Sequence, residues 1–404
     1  MKKTIFYWSP CLNPVGTVKS TLNSAISLMK YGKDKFDVTL INAFGEWDEH
    51  VDILGKNNVK ILNFNYKFYK HLPKEGYIKS RISYLIIYIF CFIPLLRLIK
   101  NSKPDYFISH LITSLPLTIM SLFKFNTKFI LRISGMPRLN FIRKNFWKLI
   151  SNQIYLVTCP TLELKSKLIN INLFKENKLF FLPDAIIDVG KHNTDSKKTL
   201  ENFEKFYEKR LIFAAGRLTK QKNFSYLIDE FASFSKKNDE FILLILGEGE
   251  ERNILEKKIR NMNIENKVHL IGHVKNVYNY FKKGEIFVLS SLWEEVGFVM
   301  VEAAFSNLFI VSSNCPNGPS EFLDNNRNGI LFENNKLGEL TKSFEQYGNI
   351  DNKNKYKYGA KKNAKKYTKF RHFTELEKIF RDRGSGQWKI IQLYKAGGIK
   401  LTKK

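Results

Sequence analysis

The sequence predicts an α/β protein of two domains, each built on a doubly wound parallel sheet, that face each other across a cleft. Short β-branched or aromatic runs alternate with longer amphipathic runs, which is typical of parallel sheets covered by helices. This alternation stops once, in a polar stretch rich in lysine and asparagine at 188–208, and then starts afresh. The 404 residues are enough for two or three domains with sizeable cores.

The alternation also places the individual elements. In the first domain, residues 1–187, strands are predicted at 4–8, 36–41, 59–62, 106–109, 129–133, 155–158 and 179–182. After the linker at 188–208, the second domain, residues 209–370, has predicted strands at 211–215, 241–246, 268–271, 286–289, 309–312 and 330–332. Its predicted helices lie at 223–235, 250–262, 274–282 and 299–306. Residues 371–404 form a basic tail that could be helical and return to the first domain.

The charge balance indicates an anionic partner. The chain has 66 Lys and Arg against 38 Asp and Glu, a net charge of +28, which fits nucleic acid, a phospholipid surface or phosphorylated substrates. Residues 351–404 alone carry 17 basic and 4 acidic side chains. The lysines are not interleaved with aromatic residues in a nucleic-acid reader motif, so we expect no nucleic-acid partner.

The cysteine and aspartate patterns argue against a metal site. Cys11, Cys91, Cys159 and Cys315 lie far apart and form no C-x-x-C pair, which disfavours both zinc and a disulfide framework and favours a reducing compartment. The sequence also contains no Asp-x-Asp triplet. We therefore expect no metal and no cofactor.

A helix start in the second domain is a candidate phosphate site. After the strand at 286–289, Gly297 marks a tight turn from which the helix at 299–306 is expected to begin. The N–H groups of such a turn and the positive end of the helix dipole favour an anion. Glu302 is expected in the first turn, where it could accept hydrogen bonds from ribose hydroxyls. An acidic first turn is also a common structural feature, so this segment alone leaves both interpretations open.

A second candidate follows the first strand of the same domain. The turn at Gly216 places Arg217 and Lys222 at the carboxyl edge of the sheet, where two cations could bind a diphosphate. Solvated loop charges would give the same sequence pattern. Because both segments end strands of one sheet, their coincidence favours a phosphate-binding function.

Together these segments resemble the retaining GT-B glycosyltransferases of family 4, which have two Rossmann-like domains. Glu294 and Glu302 stand in the E-x7-E spacing of that family, 216–224 fits its G-R-L-x-x-x-K-x-x run, and 246–249 fits its L-G-x-G turn. The loop at 315–321, Cys-Pro-Asn-Gly-Pro-Ser-Glu, is similar to one found in many bacterial members. The resemblance covers about 210–332 by motif and the first domain by pattern alone.

The resemblance implies how a nucleotide-sugar donor would bind through its phosphates. Arg217 and Lys222 would bind the diphosphate. The backbone at Gly297, Phe298 and Val299 would surround the distal phosphate. UDP is favoured over GDP as the nucleotide.

It also implies roles around the ribose, sugar and base. Glu302 would hold the ribose hydroxyls, and Glu294 would contact the sugar hydroxyls near the anomeric carbon. Gly16 resembles the glycine loop of the family, although the usual double glycine is reduced to one. His110 resembles a histidine that faces the donor sugar, whereas a lone histidine at a strand end is otherwise more often structural. Backbone near Val274 would meet the base.

Two further positions depart from the expected patterns. Arg132 is a charge inside an apolar strand, and it could be an acceptor ligand or a residue at the rim of the sheet whose charged end reaches water. Where the family often has Asn-Pro before the linker, this chain has Asp184-Ala185. The chain therefore departs from the family pattern at the expected hinge.

The implied activity is the transfer of a hexose-type sugar with retention of configuration, through loss of the nucleoside diphosphate and an oxocarbenium-like transition state. Three alternatives remain. An oxidoreductase would need Gly-x-Gly-x-x-Gly, but Arg252 replaces the third glycine after Gly247 and Gly249. A basic nucleic-acid-binding protein would explain the charge. A GT-B relative of different chemistry, such as a sugar-nucleotide epimerase or phosphorylase, would share the fold.

One apolar run suggests where the acceptor is met. Residues 82–96 are nearly all apolar, and Arg81, Arg97, Lys100 and Lys103 flank them. The run is shorter than the ~20 residues that span a bilayer, so we expect a helix whose inner face packs on the sheet and whose outer face contacts an anionic membrane. A wholly buried core helix is the alternative. The expected location is the cytoplasmic face of a bacterial membrane, with a lipid-linked saccharide or surface glycan, as in lipopolysaccharide or capsule synthesis, as acceptor.

Overall fold

The computed structural model describes residues 1–11, 16–64, 77–137, 139–200, 203, 206 and 208–381. Positions 14 and 15 of the expected glycine loop, part of the predicted linker and the tail beyond Arg381 lie outside the described residues.

The first domain is a parallel sheet covered by helices. Its described strands are β1 (Lys3–Trp8), β2 (Phe36–Asn42), β3 (Lys60–Asn63), β4 (Tyr106–Ser109), β5 (Lys128–Arg132), β6 (Leu156–Cys159) and β7 (Leu179–Phe181). Its described helices are α1 (Gly16–Tyr31), α2 (Val51–Lys56), α3 (Tyr77–Ser102), α4 (Ser114–Leu122), α5 (Phe141–Ile150) and α6 (Leu162–Asn170). The strand order is β3-β2-β1-β4-β5-β6-β7.

The second domain repeats this design with a smaller sheet. Its described strands are β8 (Arg210–Ala215), β9 (Phe241–Leu246), β10 (Val268–Gly272), β11 (Ile286–Leu289), β12 (Phe309–Ser313) and β13 (Ile330–Phe332), in the order β10-β9-β8-β11-β12-β13. Helix α7 (Val189–Asp195) precedes the sheet within the predicted linker. The helices that follow are α8 (Phe224–Ser235), α9 (Arg252–Asn261), α10 (Tyr278–Phe281), α11 (Phe298–Phe305), α12 (Pro319–Phe322), α13 (Glu339–Gly348), α14 (Lys353–Ala364) and α15 (Lys369–Arg381).

The order of the strands places the cleft. In the first sheet the direction of winding reverses between β1 and β4, and in the second it reverses between β8 and β11. Ligands of doubly wound sheets bind beyond the carboxyl ends of the strands at such a reversal. The loops after these four strands are therefore the expected walls of a binding site, and the prediction of two doubly wound domains is confirmed.

The inner strands of the two sheets were predictable because most of their residues are buried on both faces. All six residues of β9 are buried, as a parallel strand between two helical layers requires. The least accurate prediction is the helix at 274–282, because α10 covers only four of those residues. An apolar pattern there reflects packing of loop residues against the core, as for Val274 and Val277.

Helix α3 has a buried inner face and an apolar outer face. Ile87, Cys91, Leu95 and Ile99 repeat every four residues and are fully buried against the first sheet. The alternative of a wholly buried core helix is wrong, because the opposite face is exposed. The exposed apolar residues are Ile82, Leu85, Ile89, Phe90 and Ile93.

The length expected for this helix is also wrong. The apolar run has 15 residues, but the helix has 26, because Leu98 and Ile99 continue the apolar pattern beyond Arg97. By length and composition, the segment Arg81–Ser102 of α3 could cross a membrane, and it is the one helix of this kind in the described part of the chain. Its buried stripe nevertheless keeps it packed against the sheet along its length.

The chain crosses between the domains twice, and the two crossings lie side by side. The backbone N–H groups of Ile186 and Ile187 donate to the carbonyl oxygen of Tyr367, at 2.8 and 3.0 Å. The N–H of Lys369 donates in turn to the carbonyl of Ile187 at 2.8 Å. Beyond this point α15 packs against α1, so Phe373 and Phe380 join the core of the first domain.

A buried ion pair fixes the first crossing. The Arg132 guanidinium donates to the Asp184 carboxylate at 2.6 Å and to the carbonyl of Leu182 at 2.7 Å, and both charged residues are about 5% exposed. Burial raises the pKa of Asp184, but the Arg132 charge and a hydrogen bond from Ser20 outweigh it, and the pKa lies below its usual value. Arg132 is therefore neither a rim residue nor free to hold an acceptor.

Removing one member of this pair should destabilise the fold strongly. Arg132→Met should lower the free energy of unfolding by about 3–5 kcal/mol, because it leaves the Asp184 charge buried without its partner. Urea unfolding at neutral pH would measure the loss. Adding Asp184→Asn should recover part of it.

The matched control is an exposed ion pair. Arg327 and Asp324 lie 3.4 Å apart in solvent, so Arg327→Met should cost no more than about 1 kcal/mol. Equal losses for the two arginine variants would contradict a structural role for Arg132.

Candidate active site

The candidate residues follow the four strands at which the sheets reverse. Gly16 comes after β1, His110 directly after β4, Arg217 after β8 and Glu294 after β11. Parallel strands bring their carboxyl ends to one edge, so each sheet presents two of these positions to the cleft. Val274 lies on the same edge of the second sheet, in the loop after the outer strand β10.

Helix α11 supplies backbone N–H groups at the cleft. It begins at Phe298, one residue earlier than expected, because Gly297 takes a φ of 77°, a left-handed conformation that suits glycine. Phe298 and Val299 therefore occupy the first two helical positions, where N–H groups have no partner within the helix. Glycine has no side chain to cap them.

The expectation that Glu302 lies in the first turn is wrong. With the helix starting at Phe298, Glu302 is its fifth residue and lies one turn in. Helical side chains lean towards the N-terminus, so its carboxylate still reaches the cleft. The Glu302 carboxylate is thus not one of the groups next to the free N–H groups at the start of α11, which favour an anion.

The loop after β8 brings two cations to the same edge. Arg217 is exposed, and none of the ion pairs among the described residues involves it. Lys222 is mostly buried, and its ammonium group donates to the Glu294 carboxylate, which also accepts a hydrogen bond from Ser291 at 2.7 Å. The structure thus joins two residues that the sequence assigned to different parts of the donor.

A close backbone contact holds this loop in place. A Cβ added at Gly247, which follows β9, would lie 1.8 Å from the carbonyl oxygen of Gly216. The two turns touch backbone to backbone, and any side chain at Gly247 would separate them. This contact explains why the first glycine of the L-G-x-G run, Gly247, has no side chain.

Glu302 has two partners that the sequence analysis did not identify. The ammonium group of Lys19, from α1 of the first domain, lies 2.6 Å from Oε1, and the Tyr278 hydroxyl donates to the same oxygen at 3.3 Å. Burial and the nearby Glu302 charge raise the pKa of Tyr278, so this hydroxyl stays protonated. Lys19 lies in the turn after Gly16, which is the only sequence signal for it. Tyr278 lies within the predicted helix at 274–282, where the apolar pattern gave no indication of a polar contact.

The starts of two helices lie close together across the cleft. Gly16 is the first residue of α1, and a Cβ built on it would lie 3.8 Å from the ring of Phe298, the first residue of α11. The start of a helix carries partial positive charge and favours an anion. The closeness of α1 and α11 is therefore a second indication of an anion site.

Three comparisons with known proteins bear on this geometry. Residues 195–367 match the family model described as glycosyl transferases group 1. The match includes all six strands of the second domain, which is named the group 1 domain after it.

Proteins similar to this chain in sequence are also named as glycosyltransferases. It is 31% identical over 245 residues to an uncharacterized glycosyltransferase of Methanocaldococcus jannaschii, an alignment that covers 57% of this chain and 60% of that protein. An uncharacterized glycosyltransferase of Haemophilus influenzae is 26% identical over 85% of this chain and 90% of its own length. A Campylobacter jejuni α-1,4-N-acetyl-D-galactosaminyltransferase, whose name specifies a diphospho-undecaprenol-linked saccharide, is 27% identical over 65% of this chain and 70% of its own.

Solved structures share the fold of the whole chain. A glycosyltransferase from Rickettsia africae superposes with a TM-score of 0.75 at 17% identity, covering 96% of this chain and all of that one. The Anabaena protein HepE, in complex with UDP and glucose, gives a TM-score of 0.71 at 14% identity, covering 95% of this chain and all of its own. These similarities identify the two-domain fold as GT-B.

The group 1 domain contains most of the candidate residues, and His110 comes from the other domain. Both ring nitrogens of His110 are engaged, Nδ1 with the Thr21 hydroxyl at 2.8 Å and Nε2 with the Ser134 hydroxyl at 2.5 Å. Burial, together with the Arg132 charge, lowers its pKa to about 3, although Asp184 opposes the shift. His110 is therefore neutral at physiological pH and poorly placed to take up a proton.

Among the described residues, no three His, Cys, Asp or Glu side chains lie close enough together to form a metal site.

The neutral state of His110 predicts how stability depends on pH. An unfolded histidine binds a proton near pH 6.5, whereas His110 in the fold binds one only near pH 3, so the unfolded chain holds more protons between these values. The free energy of unfolding of the wild type should therefore fall, relative to His110→Gln, by about 1.4 kcal/mol per pH unit below pH 6.5.

Urea unfolding at several pH values between 7 and 4.5 would measure this difference. His273→Gln, which removes an exposed histidine, is the matched control and should follow the wild type. Parallel pH profiles for wild type and His110→Gln would show that His110 is not held neutral.

Proposed function

We propose that this protein is a retaining GT-B glycosyltransferase of family 4, which moves a hexose-type sugar from a nucleoside diphosphate donor to a hydroxyl of a lipid-linked or surface-glycan acceptor. UDP is the proposed nucleotide, in keeping with the UDP bound by HepE. The acceptor class is in keeping with the name of the Campylobacter relative.

One observation carries the proposal. The starts of α1 and α11 lie close together at a single cleft, which also contains two cation–carboxylate pairs, Lys222 with Glu294 and Lys19 with Glu302. A nucleotide-sugar donor offers binding partners both to the cations and N–H groups and to the carboxylates. Its phosphates suit the cations and the N–H groups, and its ribose and sugar hydroxyls suit the carboxylates.

The proposed chemistry is the departure of the diphosphate. As the bond between the anomeric carbon and the phosphate oxygen breaks, charge grows on the leaving group, where Arg217, Lys222 and the N-terminus of α11 stabilise it. The acceptor oxygen then bonds to the anomeric carbon on the same face. These cations do what a divalent metal does elsewhere, so the proposal needs no metal.

The proton of the acceptor hydroxyl leaves with the diphosphate in this scheme. His110 is a poor base because both its nitrogens are engaged, and in this scheme Glu294 accepts hydrogen bonds from the sugar hydroxyls once Lys222 binds the phosphate. A departing phosphate oxygen is the remaining acceptor near the reacting atoms. In this scheme His110 helps to position the donor sugar and does not transfer a proton.

The activity predicts a labelled glycan that depends on Lys222. Purified protein given UDP-hexose labelled in the sugar should transfer label to detergent-solubilised bacterial lipid-linked saccharides. Lys222→Met should lower turnover about 100-fold or more, because a charge that acts on the leaving group is lost. Product chromatography and released UDP are the measurements.

The control for this variant is Lys220→Met, which removes an exposed lysine from the same turn and should keep wild-type turnover. Chelator should leave the rate unchanged. Label that stays in a sugar nucleotide of altered configuration would indicate an epimerase, and transfer to inorganic phosphate would indicate a phosphorylase. Turnover of Lys222→Met within threefold of wild type would refute the role of this lysine.

We further propose that the first domain lies on an anionic membrane. The outer face of α3 continues onto α4 and α5, which pack beside it in turn. The exposed apolar residues that α4 and α5 add are Leu122, Phe141, Ile142 and Leu149. A patch of this kind marks an interaction surface.

The positive charge around this apolar patch favours an anionic membrane as its partner. Between positions 77 and 150 the sequence has twelve Lys or Arg and a single acidic residue, Asp105. Arg97, Lys100, Arg143 and Lys148 are exposed beside the apolar residues. Apolar side chains ringed by cations fit the boundary between acyl chains and anionic headgroups, where each cation contributes about 1 kcal/mol.

Membrane binding should need both the apolar patch and the charges. The protein should pellet with phosphatidylglycerol vesicles at low salt, and high salt should release it largely but not fully. The double variant Leu85→Gln, Ile89→Gln should pellet less and be released fully, because it lacks the apolar contribution.

Ile254→Gln is the control, since it removes an equally exposed isoleucine from the second domain. It should behave as the wild type does. Equal recovery of the wild type in the supernatant with anionic, neutral or no vesicles would refute the membrane proposal and indicate a soluble acceptor.

A further inference from the structure

The contact between Lys19 and Glu302 crosses the cleft at the proposed ribose site. Lys19 belongs to α1 of the first domain and Glu302 to α11 of the group 1 domain, and their charged atoms are 2.6 Å apart. The two members differ in burial, since the side chain of Glu302 is 6% exposed and that of Lys19 is 50% exposed. The carboxylate is fixed in place, whereas the lysine has room to move.

Ribose hydroxyls would compete with this contact. Lys19 and Tyr278 both bind the Oε1 atom of Glu302, and a ribose diol that binds the carboxylate must share or replace those bonds. A buried carboxylate needs partners, and hydroxyl donors can supply them. The half-exposed Lys19 would then need another anion.

A donor brings that anion with it. Lys19 lies in the first turn of α1, and the start of this helix is close to the start of α11. The proposed diphosphate site belongs to the opposite wall of the cleft, which Lys19 already reaches through Glu302 of α11. A flexible ammonium group on a four-carbon stem suits such a change of partner.

We infer that Lys19 is a donor-binding residue that exchanges partners: it pairs with Glu302 before a donor binds, and it binds the donor diphosphate once ribose hydroxyls bind the carboxylate. This inference rests on the proposed function of the site. It makes Lys19 a specificity residue as well, because a nucleoside must displace the lysine without offering it a phosphate, whereas a nucleoside diphosphate replaces the lost ion pair.

The test compares two ligands that differ only in phosphate. Calorimetric titration with uridine and with UDP would be done on the wild type and on Lys19→Met, which keeps an unbranched side chain and removes the charge. Lys19→Met should bind UDP about tenfold or more weakly and uridine as tightly as the wild type or more tightly. Lys19→Arg should stay within a few-fold of wild type for both ligands.

Two further variants complete the design. Lys33→Met removes an exposed lysine at the opposite end of the first sheet, just before β2, and should leave both affinities unchanged. Glu302→Gln should weaken both ligands, since it alters the ribose site itself.

The outcomes separate the inference from the proposed function. If Lys19→Met weakens uridine and UDP equally, the lysine only orients Glu302 and the exchange is refuted. Unchanged UDP affinity in Lys19→Met also refutes it, while a loss of both ligands in Glu302→Gln would still support the nucleotide site. A wild type that binds neither UDP, GDP nor ADP overturns the nucleotide site and the inference together.

Discussion

The buried ion pair between Arg132 and Asp184 is the constraint on which the arrangement of the two domains depends. It ties the end of β5 to the segment that leaves the first domain, and a hydrogen bond from Ser20 ties the same carboxylate to α1. Because the second crossing of the chain lies against this segment, both connections between the domains start from one fixed point. The position of α1, and so of Gly16 and Lys19, follows from it.

Charged residues in the cleft are also paired with each other. Lys222 neutralises Glu294 and Lys19 neutralises Glu302, so burying these groups costs less than burying either charge alone. A donor that offers phosphates and hydroxyls allows both pairs to change partners at once. The ion pairs thus keep the charged groups close to the proposed donor site, and donor binding would exchange these contacts for contacts to phosphate and hydroxyl groups.

The sequence predicted the fold better than it predicted the site. Strands buried on both faces, such as β9, are predicted by continuous apolar runs. The motifs after β8 and β11 placed Arg217, Lys222 and Glu302 at the carboxyl edge of the second sheet. Contacts between distant residues leave no such pattern. Arg132 and Asp184 are 52 positions apart, and Lys19 meets Glu302 across 283 positions. Periodicity describes which face of an element is buried, but not which residue of another element it meets.

The proposed membrane face and the cleft are neighbours because of chain order. Helix α5 begins a few residues after the carboxyl end of β5, the same end at which the cleft lies, and the connecting loop touches the group 1 domain where Gly135 packs against Glu295. The exposed Phe141 and Ile142 open this helix, so its apolar start lies on the cleft side of the first domain. In this proposal, an acceptor anchored in a bilayer beneath α3 and α5 would reach the reacting atoms without leaving the membrane, and the donor would approach the group 1 domain from solvent.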